Sequence, residues 1–155
     1  MSKKTEGKRF EEQIKKSCEK QDIFFLRLQD AGGWNRGEDT RFTVHNLCDC
    51  IMHFKSYTLL VELKTHLGKS IPQTALKQYE KMAKVNHNGV LALFILNFRE
   101  LGETYILRAC DVEYCLQFRK SVDIKFCREN GLLISQEKLR TNYIFDLKEV
   151  FEEFL

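Results

Sequence analysis

The chain has 155 residues, of which 43% are hydrophobic and 30% charged, and a single proline. That length suits one domain with a sizeable buried core, and no low-complexity tract or internal repeat interrupts it. A net charge of +3 is too small to argue by itself for a nucleic-acid partner. No apolar run reaches the ~20 residues of a membrane helix, and the basic N-terminus lacks the apolar core of a secretory signal.

The expected location is therefore cytoplasmic, and the six cysteines are expected as reduced thiols packed as small apolar groups. No CxxC pair occurs, so a structural zinc site has little to build on.

Taken in chain order, residues 5–21 predict a helix, because Phe10, Ile14 and Cys18 recur every four positions and form one apolar stripe. Its many lysines read as a solvated face, where Glu11 can pair with Lys15 and Glu12 with Lys16. Residues 22–28 are β-rich and predict a strand. Residues 31–47 then lose all periodicity and hold Gly32, Gly33 and Gly37 with Trp34, Arg36, Arg41 and His45.

Residues 47–54 predict the next strand, with Cys48, Cys50, Met52 and Phe54 on one face and Asp49, Ile51 and His53 on the other. A hairpin turn at 55–57 leads to a strand at 58–64, and a loop covers 66–70. Pro72 suits a helix start, and that helix is expected to reach about residue 86, burying Ala75, Leu76, Tyr79, Met82 and Ala83. The apolar run 90–98 fits a central strand covered on both faces.

A turn at 100–103 leads to a strand at 104–110, and Asp111 can cap a short helix to about residue 118. Residues 124–127 and 132–135 flank Asn130-Gly131, a hairpin signal. Asp146 can cap a last helix that buries Val150, Phe151, Phe154 and Leu155 on one side. The order predicts an α/β core with a mixed sheet. No glycine-rich phosphate loop, nucleophile elbow or His-Glu-x-x-His helix is present.

The residues that carry chemistry are Asp49 and Glu62-Leu63-Lys64. Glu62 and Lys64 point to one side of their strand, and a short turn places Asp49 on the neighbouring strand. Two carboxylates and an ammonium at one spot are costly in a core unless paired or bound to metal. They are well suited to a hard divalent cation beside an activated water. A Glu-x-Lys alone is equally at home on a solvated strand. Leu60 on the same face as Glu62, Ile51 on the face of Asp49, and a following helix that carries Gln78 favour a site.

With these motifs the chain resembles the PD-(D/E)xK nuclease superfamily, and within it the RecU-type Holliday junction resolvases. The resemblance rests on Gly7-Lys8-Arg9-Phe10-Glu11, Cys48-Asp49-Cys50, and Glu62-Leu63-Lys64 thirteen residues beyond Asp49 (62 − 49). It continues through Ile71-Pro72, Lys77-Gln78-Tyr79-Glu80-Lys81-Met82, the run 89–98, and Glu103-Thr104-Tyr105-Ile106-Leu107, and so covers about residues 5–115. Two departures stand out: Cys48 replaces the superfamily's proline, and the stretch before Asp49 is shorter than in the bacterial resolvases.

The resemblance implies a restriction-endonuclease-like core, a mixed central sheet flanked by helices, as one nuclease domain over 1–155. It implies Asp49, Glu62, the carbonyl of Leu63 and, directly or through water, Glu11 as ligands of Mg²⁺ or Mn²⁺. Lys64 would act on the attacking water or the phosphate, and Gln78 would orient the site. Residues 31–47 would project as a loop or stalk into a four-way junction, where Arg36 and Arg41 contact phosphates and Trp34 stacks on a base. Lys69 would also meet the backbone. The implied protein is a homodimer that hydrolyses branched DNA. The alternatives are another PD-(D/E)xK nuclease, for repair or sequence-specific cutting, and a noncatalytic DNA-binding recombination protein.

Overall fold

The computed structural model describes residues 3–29 and 45–155, with the side chains of residues 3 and 4 excepted. Helix α1, Lys3–Lys20, buries the expected stripe Phe10, Ile14 and Cys18. Strand β1, Phe24–Arg27, pairs antiparallel with β2, Cys50–Phe54, and β2 pairs antiparallel with β3, Tyr57–His66. β3 runs parallel to β5, Val90–Phe98, which pairs antiparallel with β6, Glu103–Arg108, and β6 with β8, Leu132–Leu133. The result is a six-stranded sheet in the order β1-β2-β3-β5-β6-β8, and it is mixed, as expected from the order of elements.

β5 shows why that strand is apolar throughout. Ala92, Phe94, Leu96 and Phe98 enter one core, and Leu93 and Ile95 enter the other. The first core is closed by α2, Tyr79–Ala83, α3, Ala109–Phe118, and α4, Ile124–Asn130. The second is closed by α1 and by α5, Leu147–Phe154, whose Val150 and Phe151 are buried. Asp146 caps α5 as expected, its side chain accepting from the Glu149 N–H at 3.2 Å.

Several expectations are corrected. The helix predicted from Pro72 is instead a short strand β4, Ser70–Pro72, then a 3-10 turn, Gln73–Ala75, and the five-residue α2. Pro72 stays extended, at φ −69° and ψ 148°, because β4 pairs with β7, Ser121–Asp123, far along the chain. Leu76, Tyr79 and Met82 are buried as expected, Ala83 is half-buried and Ala75 is exposed.

Residues 124–127 form the start of α4 rather than a strand. The Asp123 carboxylate accepts from the Phe126 N–H at 2.8 Å and starts the helix. The Asn130-Gly131 pair ends this helix instead of turning a hairpin. Glycine is required there because a Cβ on Gly131 would lie 2.9 Å from the carbonyl oxygens of both Cys127 and Ile106. Asp111 sits in the first turn of α3, which begins two residues earlier. A further hairpin, β9, Gln136–Lys138, with β10, Tyr143–Phe145, lies against α1.

All six cysteines are free thiols, five of them buried. Among the described residues no helix is long and apolar enough to cross a membrane.

Candidate active site

Asp49 and Glu62 stand at the open end of a hairpin. Lys55 and Ser56 form a two-residue connection between the paired Phe54 and Tyr57, with Lys55 at a left-handed φ of 53°. The pairing runs back to Cys50 opposite Val61. There the regular ladder ends: the Asp49 N–H reaches Val61 instead of Glu62, an irregular step of the kind that bends a strand. It corrects the shared face expected for Cys48 with Cys50, Met52 and Phe54, because Cys48 enters the first core and the other three the second.

The Asp49 N–H donates to the Val61 carbonyl at 3.1 Å, and the Leu28 N–H donates to the Asp49 carbonyl at 2.9 Å. The Leu63 N–H donates to Asp49 Oδ2 at 2.8 Å. Asp49 is thus fixed through its backbone on two sides and through one carboxylate oxygen.

Lys64 joins the two acids. Its Nζ lies 2.7 Å from Glu62 Oε1 and 3.7 Å from Asp49 Oδ2. The side chain of Glu62 is only 7% exposed. Burial pushes its carboxyl up to about 7, the like charge of Asp49 adds to the rise, and Lys64 opposes it. For Lys64, burial pulls the ammonium down, but Glu62 and Asp49 outweigh it and leave it raised. The cluster therefore carries more negative charge than it can comfortably hold, with one ammonium shared by two acids.

These groups open into a cavity of about 640 Å³ that is also lined by Glu11, Arg27, His45, Lys77 and Gln78. Every residue implied as catalytic lines this one space. Glu11 reaches it from α1. Its carboxylate is held by Arg27 at 2.8 Å rather than by Lys15, which pairs with Glu19 at 3.9 Å. Burial raises the Glu11 carboxyl, against the pull of Arg27. Gln78 precedes α2 and donates from Nε2 to the Asn46 carbonyl at 3.1 Å, which ties the segment ahead of Asp49 to the opposite wall.

Among the described residues, no three His, Cys, Asp or Glu side chains converge closely enough to hold an ion as they stand. The donor set still fits a hard cation, because magnesium commonly takes one or two carboxylates and completes its shell with water and substrate oxygens. Asp49 and Glu62 supply those two. An extended residue directs its N–H and C=O to the same edge, so the Leu63 carbonyl faces the edge where its N–H meets Asp49. The Cys48 thiol lines the cavity too, but burial pushes it up to about 11, so it stays protonated.

Arg27, His45 and Lys77 were not marked by their spacing. Arg27 did carry a signal, as the one charge in the apolar run 23–28. Lys69 is exposed in the loop before β4 and does not line the cavity. Trp34, Arg36 and Arg41, with most of the stretch 31–47, lie outside the described residues. At its end, Leu47 packs on the first core.

No protein-family model matches the sequence. The SPbeta prophage-derived uncharacterized protein YotM of Bacillus subtilis (strain 168) is 27% identical over 180 residues, spanning 100% of this chain and 89% of that protein. Among solved structures, Hjc of Archaeoglobus fulgidus, a Holliday junction resolvase from an archaeal hyperthermophile, superimposes with a TM-score of 0.56. The match covers 81% of this chain and 94% of Hjc at 18% identity. The fold, a mixed central sheet flanked by helices, is therefore like that of Hjc.

Proposed function

We propose that this protein is a metal-dependent endodeoxyribonuclease of the RecU resolvase type that cuts four-way DNA junctions by phosphodiester hydrolysis. The observation that carries the reading is the desolvated Glu62 beside Asp49, both sharing Lys64 in an open polar cavity. Two crowded acids with one cation between them are poised to accept a second cation, Mg²⁺ or Mn²⁺. The likeness in fold to a Holliday junction resolvase is in keeping with this reading.

Asp49, Glu62 and the Leu63 carbonyl would hold the ion, joined by Glu11 directly or through water. When bound, the cation neutralises charge on the phosphoryl oxygens and makes a nearby water more acidic. Lys64 then donates hydrogen bonds to the attacking water or to the developing phosphorane charge. Gln78 keeps the approach to Asp49 in place through Asn46. Arg27 and Lys77, on opposite walls, are placed to meet phosphates of the strand. A homodimer would present two such sites to the two-fold symmetry of a junction. Trp34, Arg36, Arg41 and Lys69 remain the candidates for contacts beyond the site.

The test compares a four-way junction with a linear duplex of the same sequence, with Mg²⁺. Preferential nicking of the junction is expected. Asp49→Asn should abolish cutting and retain junction binding, because phosphate contacts supply most of the affinity. Equal cutting of both substrates would mark a general PD-(D/E)xK nuclease. Binding with no cutting under any divalent metal would mark a noncatalytic recombination protein.

A further inference from the structure

A second cavity, of about 190 Å³, lies between α1, the end of β5 and the β9–β10 hairpin. It is on the other side of the sheet from the active site, because Thr65 lines it while the preceding Lys64 lines the first cavity. It is several times the space that one water needs, which is enough for one planar heterocycle.

Its polar lining is built rather than incidental. Thr65 Oγ1 donates to Asn97 Oδ1 at 2.7 Å, and Asn97 Nδ2 donates to Thr104 Oγ1 at 2.8 Å. Thr104 Oγ1 donates in turn to Gln136 Oε1 at 2.9 Å. This chain locks Gln136 and leaves its Nε2 as a spare donor, close to Gly102.

Gln13 is 8% exposed and lines the same cavity. Among the described residues its side-chain amide has no hydrogen-bond partner; only its backbone carbonyl is used, by Ser17. No fully buried side-chain nitrogen or oxygen is left unpaired among those residues, so the Gln13 amide meets the cavity itself. With no partner from the protein, this nearly buried amide is open to a ligand with a matching donor and acceptor, which would take the place of water.

Tyr143 adds an aromatic wall. At the rim, Arg99 pairs with Glu6 over 3.5 Å, and Arg9 donates to the Thr141 carbonyl. Two guanidiniums against one carboxylate leave positive charge for an anion.

We propose that this cavity binds one nucleotide unit, the base edge held by the Gln13 amide and Gln136 Nε2 and the phosphate by Arg99 and Arg9. A glutamine amide is the bidentate complement of an adenine edge, and bases pulled from a strand are commonly held by edge contacts and an aromatic ring. The inference does not depend on the nuclease reading, since binding here is read without cleavage.

The test follows the side-chain NH₂ resonances of Gln13 and Gln136 in the full-length ¹⁵N-labelled chain in EDTA. Each deoxynucleoside monophosphate is titrated to about 10 mM, which nearly fills even a ~1 mM site. At least one should shift both resonances, while deoxyribose 5-phosphate should not. Gln13→Leu should weaken binding at least ~tenfold with the rest of the spectrum unchanged. Arg99→Gln should weaken the monophosphate more than the nucleoside.

A single-stranded oligonucleotide, with and without one abasic position, separates the sources. Tighter binding that the abasic position removes identifies a strand nucleotide, and tighter binding of the monophosphate identifies a free one. Absent shifts, shifts confined to the Asp49 cavity, or equal shifts with deoxyribose phosphate would overturn the proposal.

Discussion

Replacing Glu62 by glutamine should make the metal-free protein more stable, and most so above neutral pH. A carboxyl that titrates at about 7 in the fold, against an ordinary 4.5, is bound to its proton more tightly in the folded state. Its stabilising contribution is complete below pH 4.5 and is lost as pH rises through 7. With both states ionised the loss is about 3 kcal/mol. Glu62→Gln reproduces the neutral acid at every pH, so it should exceed the wild type by about 3 kcal/mol at pH 8. At pH 5.5 the gap should fall to about half. For a domain of this size 3 kcal/mol is about 6–12 °C in Tm.

Thermal unfolding followed by circular dichroism, in EDTA at the two pH values, measures it. Added Mg²⁺ should raise the wild type by ~2.7 kcal/mol at a hundredfold excess over its Kd and leave the variant nearly unmoved. A variant less stable than the wild type at pH 8, or a gap that does not narrow at pH 5.5, would refute the view of Glu62 as a desolvated acid awaiting a cation.

Three further outcomes are expected. Phe151→Ala should lower stability by ~3–5 kcal/mol in urea unfolding, because Phe151 is fully buried and meets Phe54 at 5.7 Å between ring centroids; a loss under ~1 kcal/mol would mean that α5 is not part of the core. Gly89→Ala should cost ~1–2 kcal/mol, since Gly89 sits at φ 75° and a Cβ would come within 3.3 Å of the Ser56 carbonyl; an unchanged unfolding midpoint would contradict this. Gln78→Ala should reduce kcat for junction cleavage severalfold and stability by ~0.5–1.5 kcal/mol through loss of the Asn46 contact, while an effect on KM alone would show that it touches substrate instead.

Short-range order was legible in the residues themselves. The four-residue repeat of Phe10, Ile14 and Cys18 sets the buried stripe of α1, and the unbroken run of β5 announces a strand with a core on each face. The thirteen-residue interval between Asp49 and Glu62 encodes a two-residue hairpin that brings both acids to its open end, so the heart of the site was local, although the irregular step at Asp49 that parts Cys48 from Cys50 was not. Lys64 follows from the two-residue alternation of a strand.

Other features needed partners far along the chain. Residues 70–72 are extended because residues 121–123 pair with them, although Pro72 is equally suited to open a helix. The Asn130-Gly131 pair has the composition of a hairpin, yet it ends α4, because packing beneath β6 leaves no room for a side chain at Gly131.

The site divides in the same way. Asp49, Glu62 and Lys64 lie on one hairpin and could be read from spacing. Arg27, Lys77, and the grip of Arg27 on Glu11 arise where α1, β1 and the segment before α2 meet, and no local interval records that meeting. Periodicity reports which way a side chain faces along its own element. Which element it will face is decided by the burial of apolar surface across the whole chain, and only the tertiary structure contains that answer.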